Sequence, residues 1–447
     1  MRRGSRRGRG VDYGARVTPR VLVVSPEPVG DRMAGPAIRA RELARALAAK
    51  CDVTLAAPGA SDDPELPLLH AGIADYDALA TAIAAHDVVV VQQLPPRMLA
   101  RMWRGPARLV ADLYTPTVLE ALEAAPDRPP VARARLGAVA RRAAAAHLAA
   151  ADLVLCASER QRDLWLGGLA MRGGLEAAAP VEVVPFGVPA EPPAPGPGLR
   201  AALPAAGPRV LLWAGGVWDW LDAPTVIRAV PLLPDDVHLV FLGVRRPALA
   251  PRDEHAATRA ALALADELGL LGRRVHVHDG WVPYAERGAW LLQADLGVSA
   301  HHDHLEARFA YRTRLLDHLW AGLPSVVTGG DALGDEIAAR GAGRSVAPGD
   351  PTAFAGACAA LLADPAPARV AARAMAAERS WSRVVAPLLA FCLDGAKRPA
   401  TPERARVVRA ATLGQYAGLA AQTLHTDGPW PLAHRLGRNL LRAARRV

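Results

Sequence analysis

From Arg20 onward the chain alternates short runs of consecutive apolar, β-rich residues with longer Ala/Leu/Arg stretches of helical composition. The first runs are VLVVS (21–25), DVTLAAP (52–58), DVVVVQ (87–92), RLVADLY (108–114), DLVLCAS (152–158) and VEVVPFG (181–187). EPPAPGPG at 191–198 then intervenes, a Pro/Gly-rich stretch that continues neither helix nor strand. A second series follows: RVLLWAGG (209–216), VHLVFLG (237–243), RVHVHDG (274–280), LGVSAHH (296–302) and SVVTGG (325–330). Strands that are apolar throughout, rather than alternating, belong to parallel sheets covered on both faces by helices. The pattern predicts an α/β chain with two doubly wound, Rossmann-like domains facing a cleft, over 20–189 and 208–395, joined by a linker at 190–207. Residues 365–392 read as helical, and 396–447 as further helices with a basic amphipathic end. That end sets Leu432, Leu436, Leu440, Ala444 and Val447 beside Arg435, Arg438, Arg442 and Arg445. Residues 1–19 read as a disordered Arg/Gly arm.

Composition narrows the class. The 447 residues are 51% hydrophobic, yet no segment approaches the roughly twenty apolar positions of a membrane-spanning helix. The N-terminal VLVVS run is too short for a signal-peptide core. Cys51, Cys156, Cys358 and Cys392 are scattered, as reduced cytosolic thiols are, so a cytoplasmic protein is expected. The net charge of +9 is held in the tails: residues 1–20 carry +6 and 430–447 carry +5, leaving −2 for everything between. With no aromatic-studded basic motif, no nucleic-acid partner is expected. The terminal helix has two open readings, packing on the domains or peripheral contact with the inner face of an anionic membrane.

Ligands of such sheets bind beyond the carboxyl ends of the strands, so motifs there carry the chemistry. EARFAYRTRLLDHLWAGLP (306–324) sets Arg314 and Asp317 three apart and Arg314 and His318 four apart on one helix, which Gly322 and Pro324 end. Arg312 and Arg314 at its N-terminus could hold phosphate through dipole and guanidinium, and an acid one turn on could accept sugar hydroxyls. The alternative is a surface ion-pair helix. In AGGVWDWLDAP, Gly215, Gly216, Trp218 and Trp220 read either as a phosphate-cradling loop with aromatic walls or as tryptophans packed between domains before a helix capped by Asp222. HDGWVPYAE offers Gly280, Trp281 and Tyr284 to a planar base or to packing. His301, His302, Asp303, His304 and Glu306 suit a polar wall facing a sugar better than a metal site, since no second ligand group stands at a familiar spacing. In the first domain, Gly35 opens a helix after the first strand, and Asp112 and Tyr114 sit at a strand end toward the cleft, with a helix cap as the other reading of Asp112. No GxGxxG and no GKS/T is present, which argues against dinucleotide and P-loop sites.

With these pieces in order, residues 20–395 resemble the GT-B glycosyltransferases, and within them the large retaining family 4. The resemblance rests on the Gly35 loop, the linker, VVPFGV, AGG and above all RTRLLDHLWAGLPSVVT. That last segment resembles the family's donor helix, Lys-x-x-Glu-x-x-x-x-Gly-x-Pro, with Arg314 and Asp317 at the lysine and glutamate positions. The resemblance implies transfer of a sugar from a nucleotide-diphosphate donor to a saccharide or lipid-linked acceptor, with retention and without a bound metal or other cofactor. It implies donor binding by Gly215, Gly216, Trp218, Gly280, Trp281, Tyr284, Arg312, Arg314 and Asp317, with Asp317 on the ribose. Gly35, Tyr114 and His301 would face the acceptor, and Glu306 and Asp112 are the candidate catalytic acids. Three departures mark a divergent subgroup with a rearranged phosphate clamp. Phe309 stands where the family's first acid lies, the usual Arg and Lys are missing from GGVWDWLDA, and Asp replaces Glu at 317. A non-hydrolysing nucleotide-sugar epimerase and a catalytically silent GT-B binding protein are the competing readings.

Overall fold

The computed structural model describes residues 18–124, 128–171, 179–243, 256–278 and 280–427. All but the last two residues of the expected arm at 1–19, and the whole terminal stripe at 432–447, lie outside them. The first sheet contains β1 (Arg20–Val24), β2 (Asp52–Ala57), β3 (Leu68–His70), β4 (Val88–Val91), β5 (Arg108–Asp112), β6 (Leu153–Cys156) and β7 (Val181–Val183). The second contains β8 (Arg209–Ala214), β9 (Val237–Leu242), β10 (Val275–His278), β11 (Leu296–Ser299), β12 (Ser325–Thr328) and β13 (Gly343–Val346). Their orders are β3-β2-β1-β4-β5-β6-β7 and β10-β9-β8-β11-β12-β13. Both are parallel, with Val21 level with Val53 and Val88, and Leu211 level with Leu239 and Leu296.

The expected pair of doubly wound domains is therefore present, a GT-B architecture. Two edge strands escape the apolar pattern. β3 spans only three residues, and β13 is the half-polar GRSV, with Arg344 and Ser345 exposed. Charged residues on an edge suit its unpaired side. Gly343 is required there, because a Cβ would fall 2.1 Å from the Ser325 carbonyl oxygen.

The winding reverses between β1 and β4 and again between β8 and β11, and the carboxyl ends of these strands open on the cleft. The helix Gly35–Ala48 follows β1 and buries Ala37, Ala40, Leu43, Ala44 and Leu47 at helical spacing. One apolar cluster crosses the cleft floor, joining Val21 and Leu43 to Leu315, Leu316, Leu319 and Trp381. Polar ties fix the two domains: the Tyr284 amide donates to the Asp31 carbonyl (2.7 Å), the Gln161 amide to the Phe309 carbonyl (2.9 Å), and Arg160 pairs with Asp335 (2.8 Å).

The end of the chain corrects the expected boundary at 395. From Trp381 it packs on the first domain, with Trp381 5.0 Å from Phe186 between ring centroids. Arg108 donates to the carbonyls of Phe391, Cys392 and Gly395, and Arg404 to those of Ala149 and Ala150. Val408 of the helix Pro402–Asp427 joins the cluster of Met98, Leu99 and Met102. Among the described residues no helix is long and apolar enough to cross a membrane.

Candidate active site

Two cavities open in the cleft and meet at Ala34, Gly35, Trp218, Thr313 and Arg314, residues that line both. The smaller, about 240 Å³, lies mainly against the second domain. It gathers Gly215, Gly216, Trp218, Trp281, Tyr284, Arg314 and Asp317 of the expected donor set, together with Gly35. The larger, about 560 Å³, lies mainly against the first domain and includes Asp112 and Tyr114.

The glycine loop after β8 and the helix Thr313–Trp320 build the junction. Gly215 has φ of +119°, which L side chains rarely adopt, and a Cβ there would meet the Arg314 guanidinium at 3.8 Å. Arg314 donates from Nη2 to the Gly216 carbonyl (2.8 Å) and lies over the buried Trp213 ring at 4.9 Å. Its Nη1 is buried without a partner, and no carboxylate pairs with it among the described residues. Burial first, and then the neighbouring Arg312 charge, push its pKa down to about 9, so it stays charged at neutral pH. A buried cation with an open donor at a cavity wall is a seat for an anion.

Asp317, one turn along, reaches the cavity but meets Arg287 (3.1 Å), a residue the sequence reading passed over. Arg287 is in turn held over the Tyr284 ring (3.7 Å) and the Trp320 ring (4.5 Å). Its signal was the spacing Tyr284-x-x-Arg287, which puts ring and cation on adjoining turns. Trp218 and Trp220 stack 5.8 Å apart at 12° and line the larger cavity as an aromatic wall. Asp222 caps its helix through the Thr225 amide (3.0 Å), as expected.

Several expected site residues are placed otherwise. Arg312 does not face a ligand through a free guanidinium, because Glu306 holds it by two hydrogen bonds (3.1 and 2.7 Å). Glu306 is 1% exposed and lines neither cavity, so as a catalytic acid it is corrected to the anchor of Arg312. Asp112 lines the larger cavity, but both its oxygens accept from Arg39 at 2.7 Å, and both side chains are buried. It is therefore corrected from a free acid or helix cap to half of a buried ion pair. Arg39 also donates to the Val184 and Pro185 carbonyls and lies 4.7 Å from the Tyr114 ring centroid.

His301 is buried beside Asp331 (3.7 Å) and lines neither cavity, and Gly280 is exposed outside them. Gly243, at the end of β9, takes the place expected of Gly280 on the cavity wall. The His301–Glu306 run does not converge: His304 caps a helix turn through the Ala307 amide (3.2 Å) while Glu306 turns to Arg312.

Glu120 is the carboxyl the sequence reading missed. It lies on the helix Thr117–Glu123, is partly exposed, and lines the larger cavity. Loss of water, and then Glu306 nearby, push its pKa up to about 7 despite Arg312. His147 in the same wall is held neutral by burial, its Nε2 accepting from the Leu94 amide (2.9 Å).

His318 shares the helix with Arg314 but turns inward. It packs on Gly297, where a Cβ would come within 2.3 Å of Nδ1, and Nδ1 meets the Ser325 hydroxyl at 3.1 Å. Burial, then the Arg314 charge, push its pKa down to about 3. Its unfolded value is about 6.5, so below that pH the unfolded chain takes a proton that the folded one refuses. The stability of the wild type relative to His318→Leu is then full above pH 6.5 and falls below it by up to roughly 1.4 kcal/mol per pH unit. Urea titrations of both proteins between pH 7.5 and 4.5 measure that difference, and a constant difference contradicts the buried neutral imidazole.

Residues 208–364 match the family model described as glycosyl transferases group 1. No curated protein sequence matches the chain significantly. Among solved structures, sucrose-phosphate synthase from Thermosynechococcus elongatus is similar over 92% of this chain and 100% of its own, at 18% identity and a TM-score of 0.60. HepE from Anabaena, solved in complex with UDP and glucose, is similar over 90% and 100%, at 15% identity and a TM-score of 0.56. AviGT4, a glycosyltransferase involved in avilamycin A biosynthesis, is similar over 85% and 99%, at 18% identity and a TM-score of 0.55. The described residues thus have the GT-B fold, and the second domain carries the match to glycosyl transferases group 1.

Proposed function

We propose that the protein is a glycosyltransferase that moves a sugar from a nucleotide-diphosphate donor to an acceptor hydroxyl. The observation that carries this reading is Arg314, whose Nη1 is unpartnered at the point where the two cavities join. In this reading the diphosphate lies against Arg314, the Gly215–Gly216 loop and the N-terminus of the helix Thr313–Trp320. The base lies toward Trp281 and Gly243, and Asp317 takes the ribose hydroxyls. Arg314 offsets the charge that develops on the leaving diphosphate, so the transfer proceeds without a divalent metal. The larger cavity beside it gives room for a second substrate, which favours transfer over the one-substrate epimerase. Donor and acceptor approach from the same side of the reacting carbon, with retention, as in the family that the donor helix resembles. HepE, a neighbour in fold, was solved with UDP and glucose, which supports a nucleotide-sugar partner.

A thermal-shift panel of UDP, GDP, ADP and dTDP, with and without EDTA, tests the donor side. One nucleoside diphosphate should stabilise the protein by about 2.7 kcal/mol at a hundred times its Kd, unchanged by EDTA. No stabilisation by any of the four removes the reading.

A further inference from the structure

The larger cavity has a one-signed polar wall. Among the described residues its first-domain lining contains the carboxylates Glu27, Asp112 and Glu120 and no lysine or arginine. Asp112 is neutralised by Arg39, His147 is uncharged, and Arg312 on the facing wall is committed to Glu306. Glu120 differs from all of these. Its carboxyl makes no hydrogen bond and no ion pair among the described residues, although it is partly buried at the cavity edge. Arg314, whose Nη1 has no partner, stands on the second-domain side where this cavity joins the smaller one, at the donor end. The stacked Trp218 and Trp220 supply a flat apolar wall that suits the C–H face of a sugar ring.

We propose that Glu120 is the acceptor-recognising residue, and that the acceptor group entering this cavity is an uncharged or amine-bearing sugar rather than a phosphorylated one. The inference rests on the transferase reading and adds the acceptor's class to it. An unpartnered carboxyl favours a ligand that donates hydrogen bonds, from hydroxyl or ammonium. A phosphate placed there would meet carboxyl groups and no cation on the first-domain wall. A lipid-linked acceptor would have to keep its phosphates outside this cavity. Glu120 acts by positioning: it holds the acceptor while the diphosphate end of the donor carries the chemistry.

The test offers the full chain the donor that its nucleotide preference selects, with glucose, galactose, glucosamine, galactosamine and the 6-phosphates of the two neutral sugars, and measures release of nucleoside diphosphate. Neutral or amino sugars should stimulate release, and their phosphates at least about tenfold less. Glu120→Gln should raise the acceptor KM about tenfold or more, with kcat, donor KM and nucleotide Kd little changed. Glu120→Asp should recover part of the loss, and the melting temperature of both variants shows whether they fold. The proposal is overturned by equal or better use of the phosphates, or by an unchanged acceptor KM in Glu120→Gln. Stimulation by none of the sugars, with nucleotide binding intact, also overturns it while leaving the donor side standing. Absence of nucleotide binding by the wild type removes the transferase reading itself.

Discussion

Replacing Arg314 with Met is expected to remove nucleoside-diphosphate binding while leaving the free protein as stable as the wild type or more so. The two effects have one cause. In the free protein the guanidinium is sunk beside the glycine loop with Nη1 unpartnered, and burial has already drawn its pKa down to about 9. A methionine fills much of that space without a buried charge, so folding loses little beyond the bond to the Gly216 carbonyl and the contact with Trp213. Binding loses the charge-assisted contacts to phosphate, worth about 1.5–3 kcal/mol for a single one, or roughly 10- to 150-fold in Kd. Two contacts from one guanidinium would exceed that. Arg314→Lys should fall between, because a lysine keeps the charge but cannot reproduce the planar fork. Calorimetric titration and thermal melting on the same samples separate the outcomes. Weakened binding together with a large drop in melting temperature would mean that Arg314 is chiefly structural. Unchanged affinity would remove it from the donor site.

The largest effect on stability is expected at Asp112. Its two oxygens neutralise Arg39 at 2.7 Å in a setting where the two side chains are 1% and 0% exposed. Asp112→Ala strands a buried guanidinium, and breaking a buried pair from one side costs about 3–5 kcal/mol. That is a large share of the roughly 5–15 kcal/mol that holds a domain folded. Arg39 keeps its bonds to the Val184 and Pro185 carbonyls, so the variant should fold, at a much lower urea midpoint and with little change in slope. Asp112→Asn, which retains an acceptor oxygen, should lose less. If Asp112 serves the fold rather than the chemistry, activity per folded molecule will survive in Asp112→Asn. A protein of wild-type stability that is inactive in either variant would restore Asp112 to the catalytic set.

These two residues show what the sequence could and could not disclose. The alternation of continuous apolar strands with helices is a local signal, and it was enough for two doubly wound domains. The helix Thr313–Trp320 was legible because its polar groups, glycine and proline lie within one short segment. Its Arg314 and Asp317, the Gly215–Gly216 loop, Trp218, Trp281 and Tyr284 do meet in one cavity. What failed was pairing at a distance. Asp112 is neutralised by Arg39, 73 residues away, and nothing in RLVADLY announces it. Glu306 and Arg312 were read as two free groups, although six residues apart they grip each other. Arg39 itself, fully buried among the alanines and leucines of its helix, is the kind of residue that periodicity misassigns to solvent. Glu120 was hidden for the opposite reason. A glutamate on a short surface-like helix has no distinguishing pattern, and only its position against the cavity sets it apart. The missed strands β3 and β13 are short or half-polar because they are edges, where burial on both faces is not required.

The central claim is that the cleft transfers sugar from a nucleotide donor, and the most direct measurement is nucleoside-diphosphate release. Wild type and Arg314→Met would each be incubated with UDP-, GDP-, ADP- and dTDP-sugars, with and without neutral and amino-sugar acceptors. The wild type should release nucleoside diphosphate from at least one donor, faster with an acceptor present, and Arg314→Met should release little or none. A wild type that neither binds nor cleaves any donor, or an Arg314→Met variant that turns over as the wild type does, would contradict the account.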